Sequence, residues 1–261
     1  GTQSKPLTYF AIQNCTFNGA LTVAVETSNT ARFLNTTFNG PVSLSGPGNT
    51  ELYAITANAN LTILSGVVSM GTSSMFASGT VVNVYSRFIA NNYTHTFRNN
   101  FTLQNNSQFL IGFAQTYQGS ISMGSGVTAS FSGGAQTFTQ PVSVGSGSTV
   151  TFTNTAATTL DDVTLAAGST WRFSASSTST VNGDFLTNGS CSAPVSVNSN
   201  TGSSQASVKF TSFSNPQYVN ISNINNTGSA LNMLYGIGTN NTNISIASAR
   251  TLYWVGNSGS W

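Results

Sequence analysis

Charged residues are scarce in this chain of 261 residues, since only 5% are Asp, Glu, Lys or Arg, against roughly 25% in an ordinary soluble domain. The net charge is +2, and the seven basic residues are scattered along the sequence. Nucleic acids and anionic membrane surfaces are bound by clustered Lys and Arg. We therefore expect neither as a partner. No apolar run reaches the length that would insert a helix into a membrane.

Residues that carry out acid–base or metal chemistry are also few. The chain has one histidine, His95, and five acidic residues. No acid stands near His95 in the sequence, so we expect a structural role for this side chain. No cluster of His, Cys and Asp has the spacing of a metal site. The sequence therefore assigns no catalytic residue, no cofactor and no metal ligand, and we expect a protein that is not an enzyme.

What the chain does contain is abundant Ser and Thr, 76 residues in all, and a repeat of about 21 residues. The repeat is clearest between residues 114 and 176, where Ile121, Val142 and Val163 lie 21 apart. The same interval separates three aromatic residues, Phe131, Phe152 and Phe173. A fixed period of this size is typical of a solenoid.

The repeat extends toward the N-terminus, where Phe17 and Phe38 are 21 apart and each is followed by Asn-Gly. The same interval predicts further stacked pairs: Leu21 with Val42, Ala31 with Leu52, Phe33 with Ala54, and Leu61 with Val82. From Phe97 to Tyr117 the interval is 20. Roughly eight to nine coils of this length fit between residues 10 and 187.

Apolar residues alternate with polar ones within each coil, as in Val142-Ser143-Val144, and Gly-Ser-rich turns separate these short runs. Alternation with period 2 and β-branched or aromatic residues predict strands, and we expect almost no helix. The predicted fold is all-β, a parallel β-solenoid with about 20–21 residues per coil. A leucine-rich repeat lacks support because its consensus is absent. An antiparallel β-sandwich would not repeat one residue class at one offset.

The period fades near residue 187. We predict regular solenoid coils over 1–187, and less regular coils over 188–261 that continue the same solenoid, in a segment of a longer chain. Cys15 and Cys191 would then lie about eight coils apart, at about 4.8 Å per coil. A disulfide needs Cα atoms within about 7 Å, so we expect no bond between them. Cys15 is expected to be a small buried residue in the ladder.

Two features leave alternatives open. Asp161 and Asp162 precede Asp184 by 23 and 22 residues, so their carboxylates could meet on neighbouring coils, as in β-helix enzymes that act on polysaccharides. The simpler interpretation is solvated turn residues. A Thr-x-Thr array can bind ice, but Thr149-Val150-Thr151 has no counterpart in the coils before and after it. We therefore do not expect an ice-binding face there.

The C-terminal stretch carries a tyrosine–tryptophan motif. Its matching residues are Tyr253, Trp254, Val255, Gly256, Gly259 and Trp261, and it follows an early Cys191 and a strand at Val219-Asn220-Ile221. This resembles a module of very large secreted surface proteins of Bacteroidota, whose motif reads Tyr-Trp-Val-Gly-Gly-x-Gly-x-Trp. Asn257 replaces the second glycine, and the Asp and Trp that normally follow are not present. The resemblance covers about residues 188–261.

The resemblance implies export by the type 9 secretion system and a role in adhesion, gliding or contact with prey. We expect a structural or adhesive segment of a giant extracellular surface protein or filament. The expected partners are neighbouring modules of the same chain, identical chains in a fibre, and surface glycans. The alternative is a β-helix that binds or degrades carbohydrate.

Overall fold

The computed structural model describes residues 9–71, 74–77, 81–90, 93–98 and 100–247. All regular structure in these ranges is β-strand, and the strands stack in parallel from coil to coil. The predicted all-β parallel β-solenoid is therefore confirmed. No stretch of this part forms a helix with the length and hydrophobicity needed to cross a bilayer. The Tyr253–Trp261 motif lies outside the described residues.

Each regular coil contributes one strand to each of three faces, which we name A, B and C. Face A is a ladder of twelve parallel strands. Its strands are β1 Tyr9–Gln13, β4 Thr30–Leu34, β7 Asn49–Tyr53, β10 Val67–Met70, β13 Arg87–Ala90, β16 Gln108–Ile111, β19 Thr128–Phe131, β22 Thr149–Phe152, β25 Thr170–Phe173, β27 Val195–Ser199, β29 Val219–Ser222 and β32 Ile237–Thr239.

Faces B and C carry shorter strands. Those of face B are β2 Thr16–Phe17, β5 Thr37–Phe38, β8 Thr56–Ala57, β11 Met75–Phe76, β14 Thr96–Phe97, β17 Gln115–Tyr117, β20 Gln136–Phe138, β23 Thr158–Leu160 and β30 Ile224–Asn226. Those of face C are β3 Leu21–Ala24, β6 Val42–Ser45, β9 Leu61–Ile63, β12 Val81–Val84, β15 Asn100–Leu103, β18 Ile121–Met123, β21 Val142–Val144 and β24 Val163–Ala166.

Two longer strands, β26 Thr178–Asn188 and β28 Ala206–Ser214, extend across both faces. The first half of β26 pairs with β23 and its second half pairs with β24. A separate two-stranded parallel sheet consists of β31 Leu231–Met233 and β33 Ile244–Ile246. Faces B and C are therefore one bent surface at this end of the ladder.

The strand register confirms most of the predicted intervals. Ile121 pairs with Val142, and Val142 with Val163. The shorter interval is also present, since Phe97 pairs with Tyr117.

The predicted pairs of Ala31 with Leu52 and of Phe33 with Ala54 are wrong. Ala31 pairs with Thr50, and Phe33 pairs with Leu52. The reason is a turn between faces C and A that is two residues shorter in the second coil than in the first. A uniform offset of 21 cannot register such a change.

After β25 the interval between paired residues on face A becomes irregular. Thr170 pairs with Ser196, Val195 with Val219, and Asn220 with Ile237. The ladder itself continues through these changes because the additional residues lie in the turns.

The core is a continuous column of inward side chains in which aromatic rings stack along the solenoid axis. Tyr117 lies between Phe97 and Phe138, with ring centroids 5.3 and 4.6 Å apart and interplanar angles of 3° and 12°. Phe131 stacks on Phe152 at 4.8 Å. All five rings are buried. Since burial of apolar surface stabilises by about 25 cal/mol per Å², each coil is stabilised by the coils on either side.

Candidate functional site

The acidic residues that sequence analysis singled out are in register on neighbouring coils. Asp162 precedes Val163, Asp184 precedes Phe185, and these two apolar residues pair between β24 and β26. An Oδ1 atom of Asp162 accepts a hydrogen bond from the backbone N–H of Asp184 at 2.7 Å. Oδ1 of Asp184 accepts one from the hydroxyl of Ser212 at 2.7 Å. The carboxylates therefore act as acceptors that connect three successive coils.

Nothing in this arrangement gathers groups for chemistry. Asp161 is only half-buried beside Asp162, and the partners of Asp162 and Asp184 are an amide and a hydroxyl group. Across the described ranges, no three side chains of His, Cys, Asp or Glu are placed to hold a metal ion.

His95 occupies a buried polar corner that leads into face B. Its Nδ1 accepts a hydrogen bond from the backbone N–H of Ser74 at 3.2 Å, and its own backbone N–H donates to Oε1 of Gln115 at 2.7 Å. Its Nε2 has no hydrogen-bond partner in the described part of the chain. Desolvation by burial lowers the pKa of His95 to about 4, so the ring is neutral at physiological pH. This agrees with the structural role predicted for it.

The corner of His95 belongs to a repeated arrangement, which we name the polar column: Ser74, His95, Gln115, Gln136 and Thr158. All five side chains are buried. Several of them bond to the backbone of the preceding coil, as the Ser74 hydroxyl accepts from the N–H of Ile55 and the Gln136 amide donates to the carbonyl of Phe113. Buried backbone groups need such partners. The column therefore satisfies the corner where the chain leaves face A.

Both cysteines are exposed and unpaired. The prediction that Cys15 is buried is wrong. It precedes β2 just as the buried Thr36 precedes β5, but only one neighbouring coil is described around it. Its thiol donates to the carbonyl of Gln13.

The outer side of face B carries a threonine column that sequence analysis missed. Thr149 and Thr151, which were tested, lie on face A next to Thr170 and Arg172 and form no longer array. On face B, one threonine per coil stacks in register: Thr16, Thr37, Thr56, Thr96, Thr116, Thr137, Thr159 and Thr180, interrupted by Met75. The recurring Thr-Phe and Thr-Tyr dipeptides were the available signal.

One charged cluster lies on face A near its first strands. Arg32 forms an ion pair with Glu51. Its guanidinium group lies 5.2 Å from the ring centre of Tyr9 and 5.1 Å from that of Tyr53. The hydrogen bond from Arg32 to Glu51 raises the pKa of the guanidinium group further. Because the arginine already contacts both rings and the acid, this cluster joins three coils and presents no free charge.

A concave site, which we name the notch, lies where faces C and A meet. It has a volume of about 480 Å³. The residues that define it are Pro47, Gly66, Tyr85, Arg87, Asn106 and Gln108. None of these was singled out by sequence analysis, because the notch arises from changes in turn length and not from a motif.

No protein-family model, curated protein or solved structure matches this chain.

Proposed function

We propose that the chain is a structural and adhesive shaft segment of a large extracellular surface protein. The observation that supports this most directly is the unbroken twelve-stranded ladder of face A. Twelve strands spaced by about 4.8 Å extend over about 53 Å along the axis. A shaft of this kind holds a binding surface away from its point of attachment.

The distribution of residue types supports the same proposal. The recurring positions are inward ones, such as Phe131 and Phe152, whereas the outward positions next to them vary from coil to coil. Outward positions are mostly Ser, Thr and Asn, and the chain has few charges. Such a surface offers little electrostatic repulsion between identical chains, so packing side by side in a fibre is part of the proposal. Export by type 9 secretion and a role in gliding or prey contact rest on the resemblance described above.

Force spectroscopy on the purified 261-residue chain tests the mechanical part. Each coil of about 21 residues that unravels should add about 60–70 Å of contour length, since an extended residue spans about 3.4 Å. We expect a series of such steps. A single step that releases the whole chain, or extension without resistance, would contradict a shaft.

Two further measurements test location and adhesion. Antibodies raised against the chain should label intact, unpermeabilised cells of the source organism. Beads coated with the folded chain should attach to polysaccharide-coated surfaces more than beads coated with the denatured chain. Labelling only after permeabilisation would refute the extracellular assignment.

A further inference from the structure

The notch is produced by two shortened turns. Paired strands on faces C and A fix the length of each connection between them, and these lengths are five, four, three and five residues in successive coils. The connections are Leu44 to Asn49, Ile63 to Val67, Val84 to Arg87, and Leu103 to Gln108. The edge of the solenoid is therefore set back in two coils, between a Pro47 corner on one side and an Asn106 corner on the other.

The notch presents an aromatic ring, a cation and two amides. Tyr85 is 48% exposed although it lies in the concave edge. Arg87 and Gln108 are paired residues on adjacent face A strands, so their backbones are about 4.8 Å apart. Asn106 holds a positive φ of 60° at the corner above. Their polar groups thus converge from three sides on one concavity.

These side chains are not used by the fold. Within the described ranges, no side-chain hydrogen bond involves Tyr85, Arg87, Asn106 or Gln108, and the ion pair of the chain is at Arg32 instead. The neighbouring Ser86 behaves differently, since its hydroxyl donates to the carbonyl of Gly66 at 2.7 Å. A cluster of free donors around an exposed ring differs from the neighbouring corners, where the turn residues are glycine and serine.

We infer that the notch binds an acidic oligosaccharide, taking one or two sugar rings that carry a carboxylate or sulfate group. The ring of Tyr85 provides a face for the C–H side of a sugar. The guanidinium group of Arg87 suits bidentate hydrogen bonds to the anion. The amides of Asn106 and Gln108 can donate to and accept from hydroxyl groups. The volume is in the range of small-ligand sites.

This inference rests on the proposed surface role, because it names the class of ligand that the shaft would contact. The two can fail separately. The notch side chains lie outside the buried core, so their replacement should leave the force-extension steps of the chain unchanged.

The test measures binding of three trisaccharide-sized probes by NMR titration: trigalacturonate, a sulfated oligosaccharide of similar size, and neutral maltotriose. Arg87→Gln removes the charge and keeps a side chain that the next coil already accommodates at Gln108. Tyr85→Ala removes the ring. Arg172→Gln, at another exposed arginine on face A, is the matched control.

We expect at least one anionic probe to bind, with chemical shift changes confined to the notch. Arg87→Gln and Tyr85→Ala should each weaken it about ten-fold, whereas Arg172→Gln should bind like the unmodified chain. Asn106→Gly, which keeps the positive φ, should weaken binding without lowering the melting temperature. The proposal is overturned if maltotriose binds as well as the anionic probes, if neither anionic probe binds, or if Arg87→Gln and Arg172→Gln behave alike.

Discussion

The buried His95 makes the stability of the solenoid depend on pH. The pKa of His95 is lowered from 6.5 to about 4 by desolvation. Above pH 6.5 the ring is neutral in both the folded and the unfolded chain, so this residue causes no change in stability there. As the pH falls from 6.5 toward 4, the unfolded chain binds a proton that the folded chain does not bind. Stability is therefore lost across this window, and the loss is complete below the folded pKa.

The expected magnitude follows from the two pKa values. One pKa unit corresponds to about 1.4 kcal/mol, so full titration removes about 3 kcal/mol from the free energy of unfolding. The structural reason is that a protonated Nδ1 cannot accept the hydrogen bond from the N–H of Ser74. The ring also packs against Phe97, with centroids 5.9 Å apart, and no charged partner is hydrogen-bonded to it.

His95→Gln provides the control, because Gln115 and Gln136 already occupy equivalent positions in the polar column and bond to the backbone of the coil before. At pH 7 the variant should be within about 1 kcal/mol of the unmodified chain. Between pH 7 and pH 4.5, urea unfolding followed by circular dichroism should show the unmodified chain losing about 2–3 kcal/mol more than the variant.

A second measurement does not depend on unfolding. His95 is the only histidine in the chain, so its imidazole resonance needs no assignment, and its titration midpoint in the folded chain should be about 4. A midpoint near 6.5, or equal acid sensitivity of His95→Gln and the unmodified chain, would refute the reasoning.

Three other replacements test the packing of the column. Tyr117→Phe should raise the free energy of unfolding by about 1 kcal/mol, because the buried Tyr117 hydroxyl has no partner among the described residues; a lower melting temperature would contradict this. Gly145→Ala should cost about 1–3 kcal/mol, because a Cβ there would lie 2.3 Å from the carbonyl oxygen of Gly124. Gly19→Ala, where nothing lies within 4 Å, should change it by less than about 0.5 kcal/mol; equal effects of the two would count against the stacking geometry. Asp162→Ala should cost about 1 kcal/mol by removing the acceptor for the N–H of Asp184, measured by thermal unfolding.

The sequence predicted those parts of the fold that stacking forces to recur. An inward residue such as Val142 lies between Ile121 and Val163, and all three must be apolar for the column to stay filled. Their interval of 21 is therefore visible without a structure. The outward threonines of face B were equally regular, but the search examined Thr-x-Thr, whereas strands of two residues on face B place only one threonine outward per coil.

The notch could not be predicted because it is defined by missing residues in turns. The shortening at Tyr85 does not disturb the apolar columns, since the ladder on either side keeps its register. A search for a fixed period treats such changes as noise. The positions with positive φ nearby, Gly66 and Asn106, mark the turns but do not give their depth.

Variation that can carry specificity is confined to the turns and outward positions of this fold. An inward replacement affects the stacked residues of two neighbouring coils, as for Tyr117 between Phe97 and Phe138. A residue removed from a turn changes only the local outline, as the step from Val84 to Arg87 illustrates. A solenoid can therefore acquire a concave ligand site without a change in its core. This is why the free donors of the notch, and not the hydrogen-bonded carboxylates of Asp162 and Asp184, are the place where we expect recognition.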